Sequence, residues 1–90
     1  MPATRKIIVS TTPIQLVPEN PKRTVLAIAN VGNYVCYVSV DPANITSQGF
    51  PVGPGTYVAW KKVDGDHPEL MLFAQATADT EIRLWEDWSD

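Results

Sequence analysis

The spacing of proline and glycine constrains this chain more than any other feature. Eight prolines and five glycines are spread through 90 residues, and no window of ten or more residues free of both carries a sustained apolar helix face. Short runs rich in β-branched and aromatic residues recur instead about every ten residues. They fall at 6–10, 14–17, 24–30, 34–40, 50–52, 56–63, 70–77 and 81–86. Turn chemistry separates them: Pro-Glu-Asn-Pro at 18–21, Gly32-Asn33, Asp41-Pro42, Pro54-Gly55, Asp64-Gly65 and Asp79-Thr80, each fixing or freeing the backbone as a turn requires. The pattern predicts an all-β fold, one small β-sandwich of about eight short strands with jelly-roll or Greek-key-like wiring. The whole of 1–90 reads as a single domain, with a short N-terminal arm at 1–4 and a C-terminal tail at 85–90 that are mobile in an isolated subunit. A domain of this length buries only about 60–65 % of the surface its unfolded chain exposes, so support from partners is expected.

One stretch, "GFPVGPGTYVAW" at 49–60, shows the turn chemistry at its densest. Pro54 presets the φ of the second position of a type II turn and Gly55 supplies the positive φ of the third. The loop reads as rigid architecture that delivers Tyr57 and Trp60 into the sandwich. It lacks the length and the lysine of a phosphate-cradling loop.

The strand faces are more informative about function. A strand of a two-layer sandwich exposes polar residues at every second position, and three strands here do not. In "TVLAIAN" Leu26 and Ile28 share one face while Val25, Ala27 and Ala29 share the other; in "YVCYVSV" Tyr34, Cys36, Val38 and Val40 oppose Val35, Tyr37 and Ser39. In "LMLFAQA" Leu70, Leu72, Ala74 and Ala76 oppose Met71, Phe73 and Gln75. So much apolar character on a second face implies a cover. Another protein chain is the expected cover, and a long loop or the N-terminal arm folded over the sheet is the alternative.

Charge and composition exclude several classes. The net charge is −3 and the pI about 4.9, which leaves no basic field for nucleic acid. The apolar stretch at 9–17 is cut by Ser10, Thr11, Thr12, Pro13 and Gln15, so it offers neither a secretory core nor a membrane span, and a soluble chain made in a cytosol is expected. The single cysteine, Cys36, cannot close an internal disulfide and sits in an apolar strand, where a buried inert thiol is expected. One cysteine and one histidine, His67, build neither a Cys/His dyad nor a zinc site, and no nucleophile-elbow pattern precedes a serine. His67 reads as an exposed loop residue. Asp64, Asp66 and Glu69 read as turn chemistry, since the calcium loop is missing. Asn44-Ile45-Thr46 matches a glycosylation acceptor, which matters only in a secreted chain. No enzymatic constellation, cofactor or metal site is expected.

Three tryptophans need a role. Trp60 lies within a strand, whereas Trp85 and Trp88 stand in the acidic end "LWEDWSD", where aromatic anchors suit docking. Tyr37, Met71, Phe73, Trp85 and Trp88 are therefore the candidate subunit or partner interface. Aromatic side chains on a sandwich also suit sugar rings, so a carbohydrate-binding module is the alternative function.

The succession "RTVLAIANVGNYVCYVSVD", "ITSQGFPVGPGTYVAW" and "LMLFAQATADTEIRLWE" resembles the layout of small β-sandwich virion proteins of tailed bacteriophages, among them head decoration or cement proteins. The resemblance covers roughly Arg23 to Glu86 and rests on Arg23, Asn30, Gly49, Pro54, Gly55 and Glu86, positions that are structural in that style; residues 1–21 fall outside it. It implies a non-enzymatic capsid cement or decoration protein, made in the host cytoplasm and held on the virion surface, with a fibre or baseplate adhesion component as the alternative, and it makes the candidate interface a subunit or capsid interface. Its expected partners are itself, as a homo-oligomer and by the local threefold positions of icosahedral shells a trimer, and the major capsid protein, with no nucleic acid and no membrane.

Overall fold

The computed structural model describes residues 2–89. Eight strands run in chain order: β1 (Ala3–Val9), β2 (Ile14–Val17), β3 (Arg23–Asn30), β4 (Cys36–Ser39), β5 (Phe50–Val52), β6 (Tyr57–Lys61), β7 (Leu72–Ala76) and β8 (Thr80–Trp88). One helical turn, α1 (Ile45–Gln48), stands between β4 and β5, and a 3-10 turn (Lys62–Asp64) follows β6. The sheets have the orders β1-β8-β3-β6 and β2-β7-β4-β5, and every pairing is antiparallel. First pairs with last, second with seventh, third with sixth and fourth with fifth. One long antiparallel ribbon has thus been rolled into two layers, the jelly-roll solution.

Alternation decides what each strand buries. Along β3, Leu26, Ile28 and Asn30 are buried while Ala27 and Ala29 are only partly covered. Their inward partners are Ile82 and Leu84 of β8 in the same sheet, and Val38, Val52, Leu72 and Ala74 from the facing sheet. Burying a side chain such as Ile28 fully is worth about 1.5–3 kcal/mol. Cys36 lies in this core with 0 % exposure, as its strand position predicts, and burial pushes its thiol up to about 11.

Two buried polar side chains close the sandwich at opposite ends of β3. At the start, Arg23 donates to Glu86 and to the carbonyls of Pro18 and Pro68, each at 3.0 Å. At the finish, Asn30 donates to the carbonyls of Tyr34 at 2.7 Å and Val52 at 2.9 Å, while its oxygen accepts from Gly32 N–H and the Thr80 hydroxyl. Gly32 must be glycine there, because a Cβ would strike Thr80 Oγ1 and stand 2.6 Å from the Glu81 nitrogen. No described buried polar side-chain atom lacks a partner, which removes the main penalty of placing these groups inside.

Pro54-Gly55 forms the expected turn, with Gly55 at φ 76° and the Thr56 N–H bonded to the Gly53 carbonyl at 3.1 Å. Its delivery differs from the expectation. Tyr57 and Trp60 are three residues apart on one strand, so alternation sends them to opposite faces. Trp60 packs against the core, and Tyr57 is 77 % exposed on the outside.

The chain ends also differ from the expected arm and tail. Ala3 pairs with Glu86 and Thr4 with Trp85, which makes the ends neighbouring strands of one sheet. Sequence reading marks these strands only at 6–10 and 81–86, because Ala3, Thr4 and Arg5 at one end and Asp87 and Trp88 at the other carry no alternating apolar pattern to extend them. Met1 and Asp90, which belong to that expectation, lie outside the described residues.

Candidate interaction surfaces

The outer face of the first sheet is set by register. Two cross-strand rows lie side by side on it: Thr4, Trp85, Ala27 and Ala59, then Lys6, Arg83, Ala29 and Tyr57. Alanines thus occupy the middle while the aromatic rings stand on the strands either side of β3. The result is a groove of about 510 Å³ whose lining includes Lys6, Ala27, Ala29, Tyr57, Arg83 and Trp85. Trp85 is 44 % exposed.

The outer face of the second sheet is partly covered. α1 packs on β4 and β7, and its Ile45 is buried without belonging to the cluster between the sheets. The segment between β4 and β5 therefore folds over this sheet, the loop alternative of the sequence reading. Tyr37 and Phe73 lie on this face and are half-buried.

A third surface opens where the sheets part along their β5 and β6 edges. There a groove of about 390 Å³ reaches the core residues Leu26, Val38 and Leu72, with Trp60 on one wall and Val40, Phe50 and Leu70 at the mouth. Those three mouth residues are exposed, Phe50 at 57 %. Met71 is exposed beside Leu70.

The five candidate interface residues consequently do not form one patch. Tyr37 and Phe73 share one outer face, Trp85 lies on the opposite one, and Met71 stands near the open edge. Trp88 faces a polar pocket at the end of the sandwich beside Arg23 and Glu86. Sequence reasoning put Tyr57 inside and Val40 on the face of Cys36 and Val38, and it did not single out Phe50; the structure exposes all three. Counting alternation back from Trp60 would have turned Tyr57 outward, but nothing local reveals that β5 is an edge.

The polar loop after β6 is held by its own side chains. The Asp66 carboxylate accepts the Lys61 N–H at 3.0 Å, and Gly65 takes φ 84°, which is the turn chemistry expected for Asp64 and Asp66. His67 is exposed, and its Nδ1 lies 3.0 Å from Glu69 Oε1. The Glu69 carboxyl is held below its ordinary range, first by a backbone N–H and then by His67. No group of three or more His, Cys, Asp or Glu residues able to hold a metal occurs among the described residues, and no described helix is long and apolar enough to cross a membrane.

No family model matches the sequence, and no curated protein matches it either. Among solved structures, the fold is similar to a chain described under "Bacillus endospore appendages form a novel family of disulfide-linked pili". That match has a TM-score of 0.52 at 10 % identity, over 99 % of this chain and 85 % of the other. The likeness is one of fold.

Proposed function

We propose that this chain is a non-enzymatic structural protein that works by adhesion, a capsid cement or decoration protein of a tailed bacteriophage. In this reading it is a homo-oligomer, a trimer, seated on the major capsid protein at the virion surface. The observation that carries the reading is the open edge of the sandwich. Val40, Phe50 and Leu70, with Asp66 and His67 on the polar side, line a groove that leads to Leu26, Val38 and Leu72, and apolar surface continuous with a core is worth about 25 cal/mol per Å² once a partner removes it from water. A second copy or a capsid subunit is such a partner.

The similar solved chain comes from a pilus, by its description disulfide-linked, and an assembling subunit on this fold agrees with the reading. The linkage would differ. This chain's one cysteine is Cys36, buried in the core, so its assembly is non-covalent. Each contact can then be modest, because every further contact of an oligomer already tethered to a shell is effectively intramolecular.

Cosedimentation with heads of the encoding phage tests the proposal. Wild-type protein should pellet with heads, and Phe50→Asp should stay in solution while its thermal melt holds. Equal pelleting of both proteins, or no pelleting of the wild type, contradicts it.

A further inference from the structure

We infer that the outer face of the first sheet is a binding groove for an acidic saccharide. The inference goes beyond capsid attachment, which relies on the open edge, and it stands or falls separately. Three features of the groove carry it.

The floor is unusual for a solvent-facing sheet. Ala27 and Ala29 occupy successive outward positions on β3, although alanine is depleted in strands. Small side chains do, however, leave a shallow trench between two aromatic walls. Trp85 and Tyr57 stand on opposite sides of β3 and two residues out of line, a separation on the order of 12 Å by strand geometry. Rings at such a span can hold successive sugar units by their apolar faces, with a polar rim left to fix orientation.

The charge at one side selects the ligand. Lys6 lies directly opposite Arg83 across β1 and β8, and like charges in that position destabilise a sheet. This occurs on a chain whose net charge is −3. Glu81 neutralises part of the pair through Arg83 at 2.6 Å, whereas Lys6 has no ion pair among the described residues. An anionic group beside Lys6 and Arg83 relieves the repulsion, and a carboxylate on a sugar stacked over Trp85 is placed to do so.

The backbone argues against an extended peptide. β3 is hydrogen-bonded on one side to β8 and on the other to β6, so the floor offers no free N–H or C=O groups for strand addition. A ligand must bind through ring faces and charge. That description fits a uronic-acid saccharide better than a polypeptide.

Calorimetric titration of the full chain with trigalacturonate tests the inference, with maltotriose as the uncharged control and tetraglutamate as the acidic peptide. Saturable binding of trigalacturonate is expected, together with weaker affinity at higher salt. Trp85→Ala, Tyr57→Ala and Arg83→Gln should each lower it by about tenfold or more; all three side chains are exposed, so their melts should stay near the wild type. Maltotriose should bind more weakly than trigalacturonate. No saturation by about 10 mM, equal binding of tetraglutamate, or affinity unmoved by Trp85→Ala overturns the inference. So does dissociation of an oligomer by Trp85→Ala, which assigns the face to a second copy.

Discussion

The Arg23 guanidinium and the Glu86 carboxylate, 63 positions apart in the chain, meet at 3.0 Å where β3 and β8 begin and end side by side. Arg23 is 1 % exposed, so Glu86 is the counter-charge that makes its burial tolerable. Removing one partner of a buried pair costs roughly 3–5 kcal/mol because the other charge is stranded. Glu86→Ala should therefore destabilise the fold by about 3 kcal/mol or more. Arg5, which shares the same carboxylate from a half-exposed position, should cost under about 1 kcal/mol on replacement by alanine. Urea melts of the two variants check the contrast, and equal losses would contradict it.

Asn30 makes the corresponding prediction at the other end of β3. Its amide nitrogen faces two carbonyls, from Tyr34 and Val52, so Asn30→Asp would set a carboxylate against two acceptors. The folded state then favours the protonated acid and raises its pKa above the unfolded value. Stability of this variant should accordingly be highest below the ordinary aspartate range and fall as pH rises through the raised value. A melt series from pH 3 to pH 8 checks the direction; improving stability with rising pH, relative to wild type, would refute it.

Gly55 tests the turn that opens β6. A Cβ there meets nothing within 4 Å, yet φ is +76°, so any penalty is backbone strain alone. Gly55→Val should lose about 1–2 kcal/mol, and Gly55→Asn distinctly less because asparagine tolerates the left-handed region. Thermal melts that place valine and asparagine together would reject this origin.

Cys36 gives a second pH dependence, of known sign. Its thiol is raised from 9.0 to about 11 by burial, so the unfolded chain loses the proton first as pH rises. Stability contributed by the protonated thiol is present below pH 9.0 and is lost towards pH 11, a loss of about 2–3 kcal/mol. The wild type should shed that much more stability than Cys36→Ala between pH 8 and pH 11. Parallel denaturant curves measure the difference, and superimposable pH profiles would contradict it.

These features differ in how far they can be read from the chain. Alternation in "TVLAIAN" locates β3 and both its faces, because one strand's burial is a local property. Arg23, Asn30 and Glu86 are marked as structural only by the resemblance to virion proteins, and the pairing of the first and last of them is non-local and leaves no periodic trace. The turn at Ile45–Gln48 is equally silent: four residues are too few to show a helical period, so a loop over the second sheet stands as an alternative in the sequence but cannot be located there. The same limit hides the open edge. Phe50 looks like any strand residue until β5 is known to have a neighbour on one side only.

Static light scattering on the purified chain tests the central claim of adhesion through the open edge most directly. The account predicts a closed oligomer at micromolar concentration, three times the subunit mass of 9.9 kDa, since a closed ring hides the apolar edge without growing a fibre. Phe50→Asp should return the single-chain mass with the fold intact. A wild-type protein that stays at the single-chain mass, or an oligomer indifferent to Phe50→Asp, would contradict it.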